Sequence, residues 1–380
     1  MSVTDADVIR AHPSLPALEL LLDPAALQEA TVRLGGGGLQ LDRLRLKPGA
    51  SVTAMLRPVS GRGPWVLARG LARRPWATKR QKDLRAAEEA GLASWELPAE
   101  RLVLVPAAAD RQLNGLAALR PDTGCAVPAV YGRKPWRVRG GRMPALAAAR
   151  AGRTGNGSRA LPADADEMMT VRTLSHNPAR RWVGLAEAGE TRRVLRLHSD
   201  RPAEQLLWVP GRDWMPGDPL PVLLADPAHV HIDALLGDTE LPAALGPAVD
   251  GLRMIHRPWG ERAAAVVAAI ADRLARVPQE PAHGDLTPDQ VVVGADGTTV
   301  VDWDRAGRWP AGWDAATWTA GMIVAGWHPA GSCAVPDLSV EPVVLAAAAI
   351  MRGSEPFRRR EPDWAGRIEA LLAHAELVQS

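Results

Sequence analysis

Cysteine is scarce in this chain of 380 residues, which contains only Cys125 and Cys333. Two cysteines cannot build the disulfide framework of a small secreted protein, and their scarcity fits a reducing cytoplasm. Segment 1–22 carries acidic residues early and has no basic region before its apolar stretch, so it does not read as a signal peptide. We therefore expect a cytoplasmic protein.

Long apolar runs are missing as well, since the longest, from Val343 to Met351, is too short to cross a bilayer. An excess of either charge is also absent, because 45 Lys and Arg face 43 Asp and Glu, for a net charge of +2. We expect neither a membrane nor nucleic acid as a partner. With 47% hydrophobic residues, the chain has enough apolar material for two or three domains.

The N-terminal third alternates helical and extended patterns. Leucines at helical spacing predict helix within residues 1–30, and two strands flank a predicted turn at 47–49. Residues 65–69 and 101–106 read as further strands, and 77–93 read as a charged surface helix between them. This region therefore predicts a small sheet with helices.

A stretch rich in Gly, Ala and Ser at 140–166 is typical of a linker or mobile loop. A second strand–turn–strand pattern follows, in which Leu174–Pro178 echoes Leu44–Pro48 of the first. The echo indicates either a weak internal duplication or a chance similarity between two hairpins. From residue 216 onward, helical patterns dominate the sequence.

The helical pattern is interrupted by HGDLTPDQVVVGADGTTVVDWD, in which a D-G dipeptide flanked by valines predicts a β-hairpin. Phosphoryl transfer from ATP needs a group that orients the attacking hydroxyl and oxygen ligands for Mg²⁺. Asp285, Gln290 and Asp302 supply a loop carboxylate, an amide oxygen and a carboxylate after the hairpin. Their order and spacing match the H-x-D-x-x-x-x-N and D-F-G elements of protein kinases.

The motifs HGDLTPDQVVV, VVDWDRAG and WDAATWTA together resemble the catalytic region of the aminoglycoside phosphotransferase and choline kinase group. Gln290, in place of the usual asparagine, and the tail from Pro356 to Trp364 resemble the maltokinase and actinobacterial sugar-kinase branch. The resemblance covers about residues 240–380. It implies an α+β, protein-kinase-like bilobal fold with an additional N-terminal α/β module.

Under this resemblance the chain divides into four parts. They are an N-terminal cap-like module at 1–140, a linker at 141–166, a shortened kinase-like N-lobe at 167–215 and a helical C-lobe with the catalytic loop at 216–380.

The resemblance also implies the roles of individual residues. Asp285 would be the catalytic carboxylate, and Gln290 and Asp302 would bind Mg²⁺. Structural support would come from His283, Asp304 and Asp314, of which the last would also cap the next helix.

The nucleotide contacts are implied by the same resemblance. The backbone of Trp214 and Met215 would hold the adenine of ATP, and Arg196 would stand where kinases place a lysine near the phosphates. Only about one helical turn and one strand fit between Arg196 and Trp214, so the usual helix with its glutamate is missing there. The first module does contain such a helix, with Glu88 and Glu89.

Simpler alternatives stay open for two of these residues. HGD on its own could be an ordinary turn in which Asp285 caps a local helix, and Gln290 could form a hydrogen bond without touching a metal. The expected function is ATP- and Mg²⁺-dependent phosphotransfer to a hydroxyl of a small molecule (a sugar, an aminoglycoside or a related polyol). The alternative is a pseudokinase, a binding or scaffold protein that keeps the fold.

Overall fold

The computed structural model describes residues 3–35, 37–113, 116–119, 121–124, 127–128, 168–178, 180–188, 191–198, 241–294, 297–300, 305–327 and 340–377. Helices and antiparallel strands are mixed along this part of the chain, which confirms an α and β composition. The chain divides into two compact units. One comprises Met1–Pro13, Leu44–Pro48 and Val222–Ser380, and the other comprises Ser14–Arg43 and Gly49–Pro221. The predicted linker at 141–166 lies outside the described residues, and the four-part division stays a prediction.

Three short helices open the chain, in the region 1–30 that the sequence predicts as helical. They are α1 (Asp5–Ala11), α2 (Ala17–Leu22) and α3 (Pro24–Arg33). The start of α3 is set by Asp23, whose carboxylate accepts hydrogen bonds from the backbone N–H groups of Ala25 and Ala26. Pro24 follows at the first helical position, where a missing N–H costs nothing.

A five-stranded antiparallel sheet follows the helices, with strand order β1-β2-β3-β5-β4. Its elements are β1 (Leu39–Lys47), β2 (Ser51–Pro58), β3 (Val66–Leu71), α4 (Arg73–Glu89), β4 (Trp95–Leu97) and β5 (Leu102–Pro106). Gly49 makes the turn between β1 and β2 with a φ of +60°. Helix α4 covers one face, where Ala87 packs with Met55, Leu67 and Val103. All but the short strand β4 were predicted.

A second antiparallel sheet lies in the same unit and runs in the order β6-β7-β8-β9. Its strands are β6 (Val127–Pro128), β7 (Met168–Asn177), β8 (Arg181–Ala188) and β9 (Thr191–His198). The fully buried Trp182 packs with Val171, Leu197 and Leu116 of the one-turn helix α5 (Leu116–Leu119). The predicted second strand–turn–strand is therefore confirmed.

A buried polar contact joins the second sheet to the 3₁₀ turn Ala107–Ala109 that follows β5. His176 of β7 contacts the Oδ2 atom of Asp110 through its Nε2 atom at 3.0 Å, and both side chains are fully buried. The Oδ1 atom of Asp110 also accepts a hydrogen bond from the backbone N–H of Gln112 at 3.1 Å. These contacts fix β7 against the end of the first sheet.

The C-terminal part of the chain is mostly helical, as predicted. Its helices are α6 (Leu241–Ile255), α7 (Arg257–Leu274), α8 (Trp313–Val324), α9 (Pro342–Arg352), α10 (Glu355–Arg358) and α11 (Trp364–Glu376). Their apolar faces form a common core that includes Ile270, Val344 and Leu371. Within the described ranges, no helix is both long enough and apolar enough to cross a membrane.

Two short antiparallel ladders interrupt these helices. The predicted hairpin is present as β11 (Val291–Gly294) and β12 (Gly297–Val300), with Val291 opposite Val300. The second ladder pairs β10 (Gln279–Ala282) with β13 (Gly307–Pro310) and was not predicted.

Candidate active site

The HGD loop, defined here as residues 283–287, begins directly after β10. The ladder between β10 and β13 sets Ala282 opposite Gly307, so the loop lies beside the residues that precede β13. The 3₁₀ turn Pro288–Gln290 closes the loop and leads into β11. A short ladder and a tight turn therefore fix both ends of the loop.

Gly284 occupies a position in the HGD loop that suits only glycine. Its φ is +81°, and a Cβ atom there would lie 2.2 Å from the carbonyl oxygen of Arg305 and 2.4 Å from Nε1 of Trp309. The indole of Trp313 stacks on that of Trp309 with ring centroids 4.9 Å apart and donates to the carbonyl oxygen of Gly284 at 3.0 Å. Both indoles are buried, so they serve packing of the loop.

Replacing Gly284 by alanine should destabilise the fold and remove the loop geometry. The left-handed backbone and the forced displacement of Arg305 and Trp309 should together lower the free energy of unfolding by roughly 2–5 kcal/mol. The matched control is Gly91→Ala, because Gly91 has a φ of +66° but no atom within 4 Å of the added Cβ. Urea denaturation of both variants checks this. Equal losses in the two variants would show that the close packing at Gly284 contributes nothing.

Asp314 holds the HGD loop through two backbone amides. Its carboxylate accepts hydrogen bonds from the N–H of His283 at 2.7 Å and from the N–H of Gly284 at 2.9 Å. The expectation that Asp314 caps helix α8 is wrong in this respect, because the N-cap is Gly312 and the helix has no side-chain cap. Asp314 is the second residue of α8 and so does not stand at the N-cap position, and its carboxylate binds the two amides of the loop instead.

His283 braces the loop from inside. Its side chain is buried, and its Nδ1 atom accepts a hydrogen bond from the backbone N–H of Asp285 at 3.4 Å. Together with Asp314, this contact orders the backbone on both sides of Gly284.

Asp285 presents its carboxylate to two arginines and to solvent. The side chain is 28% exposed, and its Oδ1 atom accepts a hydrogen bond from Nη2 of Arg352. The Nε atom of Arg305 lies 3.7 Å from Oδ2, and the Arg305 side chain is 51% exposed. The N-cap of the following 3₁₀ turn is Thr287, so Asp285 is not the N-cap of a local helix. It is a partly exposed acid with a buried cation on one side and an exposed cation on the other.

A second acid, Glu355 at the start of α10, lies in the same group of charges. Burial would raise the pKa of the Glu355 carboxyl, but the cationic groups of Arg352, Arg359, Arg358 and Arg305 lower it to about 2. Glu355 is therefore ionised at neutral pH and supplies a permanent negative charge beside Arg352.

Gln290 carries an oxygen that suits a metal. The residue is buried, and its Oε1 atom has no hydrogen-bond partner among the described residues. A buried amide oxygen that lacks a partner is costly, and oxygen is the ligand atom that Mg²⁺ prefers. Gln290 therefore fits a metal ligand. No cluster of three or more His, Cys, Asp or Glu residues suited to a metal occurs in the described ranges.

Of the other predicted site residues, only Arg196 lies in the part of the chain that the structure describes. Asp302, Asp304, Trp214 and Met215 lie outside the described residues. Arg196 lies in β9 with its backbone opposite Val183. The roles predicted for these residues stay predictions.

A cation–acid pair joins the first sheet to helix α4. Arg69 of β3 donates to both carboxylate oxygens of Asp83 on α4, at 2.9 and 3.1 Å, and Nε of Arg111 donates to the same carboxylate at 3.1 Å. Glu88 and Glu89, the acids noted in the sequence, are exposed.

Comparisons with known proteins do not assign this chain to a family. No protein-family model and no curated protein matches the chain. Among solved structures, a choline kinase, LicA, from Streptococcus pneumoniae matches with 8% identity and a TM-score of 0.29, covering 93% of this chain and 98% of that one. A glucosamine kinase matches with 19% identity and a TM-score of 0.19, covering 90% and 88% respectively. Such low TM-scores do not establish a shared fold, so the site itself must carry the functional assignment.

Proposed function

We propose that the protein is an ATP- and Mg²⁺-dependent phosphotransferase that acts on a hydroxyl group of a sugar, an aminoglycoside or a related polyol. The observation that carries the proposal is the arrangement of Asp285, whose partly exposed carboxylate sits on a loop held by Asp314 and His283. A carboxylate fixed in this way can orient a bound hydroxyl and accept its proton. The maltokinase and sugar-kinase branch is the finer assignment, and it depends on the sequence resemblance alone.

In the proposed reaction, the oxygen of the acceptor hydroxyl attacks the γ-phosphorus of ATP. The bond from that phosphorus to the bridging oxygen breaks, and its electron pair leaves on ADP. Asp285 orients the hydroxyl and takes its proton. Arg305 places a positive charge beside Asp285, where the oxygens of the transferred phosphoryl group carry negative charge.

The remaining contacts are proposed from the sequence resemblance. Mg²⁺ would be held by Gln290 and Asp302 and would neutralise the charge of the phosphates when bound. The backbone of Trp214 and Met215 would contact the adenine, and Arg196 would contact the phosphates. Asp304 would support the metal site. Scarce cysteine supports a cytoplasmic location.

The function is tested by ADP release with Mg-ATP and a panel of glucose, maltose, glucosamine, kanamycin and glycerol. We expect turnover on at least one acceptor and a rise in melting temperature with Mg-ATP, because a ligand of the native state stabilises it. A folded protein with no turnover on the panel and no thermal shift would favour the pseudokinase alternative instead.

The metal ligands should be separable from the catalytic carboxylate by thermal shift. Asp302→Asn should reduce the Mg²⁺-dependent part of the ATP-induced shift most, since it removes a charged ligand. Gln290→Ala should reduce it less, because a neutral ligand contributes less. Asp285→Asn should leave it nearly unchanged, since that carboxylate acts on the acceptor. Each variant is measured with ATP plus Mg²⁺ and with ATP plus EDTA. Equal reductions in all three variants would contradict the assignment.

A further inference from the structure

Arg352 connects the candidate catalytic residue to a second carboxylate. It is the last residue of α9, and its side chain is only 5% exposed. Its Nη2 atom donates to Oδ1 of Asp285 and lies 3.4 Å from the backbone carbonyl oxygen of the same residue. Its Nη1 atom donates to Oε2 of Glu355 at 2.9 Å. One guanidinium therefore joins the HGD loop to the start of α10.

The stability of the fold is a weak reason for this arrangement. Burying a guanidinium costs several kcal/mol of desolvation, and apolar replacement of buried ion pairs is often neutral or stabilising. The planar guanidinium of Arg352 does orient its partners, because its N–H donors point in fixed directions and so restrict where each carboxylate oxygen can lie. The contact to the backbone carbonyl of Asp285 adds to this restriction by fixing the main chain as well as the side chain.

Glu355 restricts Arg352 in turn. Its carboxylate accepts from Nη1 of Arg352, and Nη2 of Arg359 lies 3.7 Å from the same oxygen. The other terminal nitrogen of Arg359 pairs with Asp289, which follows the HGD loop, at 3.2 Å. The segment from Arg352 to Arg359 is thus tied at two points, to Asp285 in the HGD loop and to Asp289 in the 3₁₀ turn after it.

We propose that Arg352 is a positioning residue for phosphoryl transfer: it fixes the orientation of the Asp285 carboxylate, and Glu355 fixes Arg352. The inference rests on the proposed function, because it concerns the same acid. A reactive group oriented by a neighbour that is itself oriented by a third group is a common arrangement in catalytic sites. A displacement of about 1 Å at such a group lowers turnover by about 100-fold.

The test uses Arg352→Met, Arg352→Lys and Glu355→Gln with the panel acceptor on which the wild type turns over fastest. We expect kcat to fall about 100-fold in Arg352→Met, with the KM for ATP unchanged. In Arg352→Lys the positive charge remains but the planar fork of donors is lost, so kcat should fall about 10-fold. Glu355→Gln weakens the group that holds Arg352, and kcat should also fall about 10-fold. The ratio of phosphorylated acceptor to ADP should fall as well, because a misdirected carboxylate lets water compete for the phosphoryl group.

The matched control is Arg360→Met. Arg360 lies in the same C-terminal segment and forms a two-bond ion pair, at 3.0 and 2.6 Å, with Asp5 of α1 and not with Asp285 or Glu355. The Arg360→Met variant should melt at a lower temperature than the wild type, with the wild-type kcat and the wild-type ratio of phosphorylated acceptor to ADP. Arg352→Lys covers the case in which Arg352→Met does not fold.

The outcomes separate the two proposals. If folded Arg352 variants keep the wild-type kcat and product ratio, or if Arg360→Met changes both to the same degree, the positioning role is wrong and the proposed function stands. If the wild type phosphorylates no acceptor, the proposed function fails and the positioning role fails with it.

Discussion

Replacing Asp285 by asparagine should lower kcat for phosphoryl transfer by about 100- to 10,000-fold. Asparagine has nearly the same shape and keeps an oxygen that can accept from Arg352, so the loop should stay in place. It cannot take a proton from the acceptor hydroxyl, which is the step proposed for the carboxylate. Steady-state kinetics with Mg-ATP and the acceptor, together with a melting curve of the variant, measure the effect.

The control for this variant is Asp250→Asn. Asp250 is an exposed acid of α6 in the same unit of the fold, with a side chain 68% exposed and paired with Arg253. It should retain wild-type turnover. A folded Asp285→Asn protein with the turnover of the Asp250→Asn protein would remove the catalytic role from Asp285.

Replacing Asp110 by alanine should lower the free energy of unfolding by about 3–5 kcal/mol, because it removes both the contact with buried His176 and the hydrogen bond from the amide of Gln112. Replacing His176 by alanine should cost less, because Asp110 keeps the hydrogen bond from Gln112. Both side chains are fully buried, and the contact joins β7 to the end of the first sheet. The double variant should lose less than the sum of the two single losses, since the contact between the two side chains can be lost only once. Chemical denaturation of the two single variants and the double variant gives the coupling energy.

Glu29→Ala serves as the surface comparison. Glu29 pairs with Arg33 four residues later on α3, and both side chains are about 70% exposed, at 70% and 71%. Its loss should change stability by only about 0.3–0.5 kcal/mol. A coupling energy between Asp110 and His176 of only about 0.3–0.5 kcal/mol would show that burial does not strengthen their contact.

The sequence predicts most helices and strands because their signals are local. The hairpin of β11 and β12 follows from valines around a D-G dipeptide, and the helices follow from apolar spacing. The ladder between β10 and β13 could not be predicted in this way. Gln279–Ala282 is short and contains Pro281, and its partner strand lies beyond the hairpin, so neither strand carries a signal of its own.

The acid that pairs with Arg69 agrees with the helical phase of α4. Asp83 and Ala87 are four residues apart, so they share one face of α4, and both are buried. Glu88 and Glu89 fall on the other side and are exposed. Helical phase therefore places Asp83 on the buried face, although Glu88 and Glu89 are the acids that the sequence pattern singles out.

The candidate site was predicted only in its local part. HGD and Gln290 are close together in sequence, so their spacing alone identifies them as candidate site residues. Arg352 is 67 residues from Asp285, and only the packing of α9 brings the two together. The position of Asp314 was identified from its motif, but its target was not, because an acid near a helix start can serve its own helix or a neighbouring loop.

The central claim is that Asp285 directs the γ-phosphoryl group of ATP to a hydroxyl of a small molecule. The most direct measurement follows an isotope label in that phosphoryl group by mass spectrometry, with wild type and Asp285→Asn incubated side by side with Mg-ATP and the acceptor panel. We expect labelled, covalently phosphorylated acceptor from the wild type and almost none from Asp285→Asn. Labelled acceptor formed equally by both proteins would contradict the role of Asp285, and label found only in free phosphate from the wild type would contradict the transfer itself.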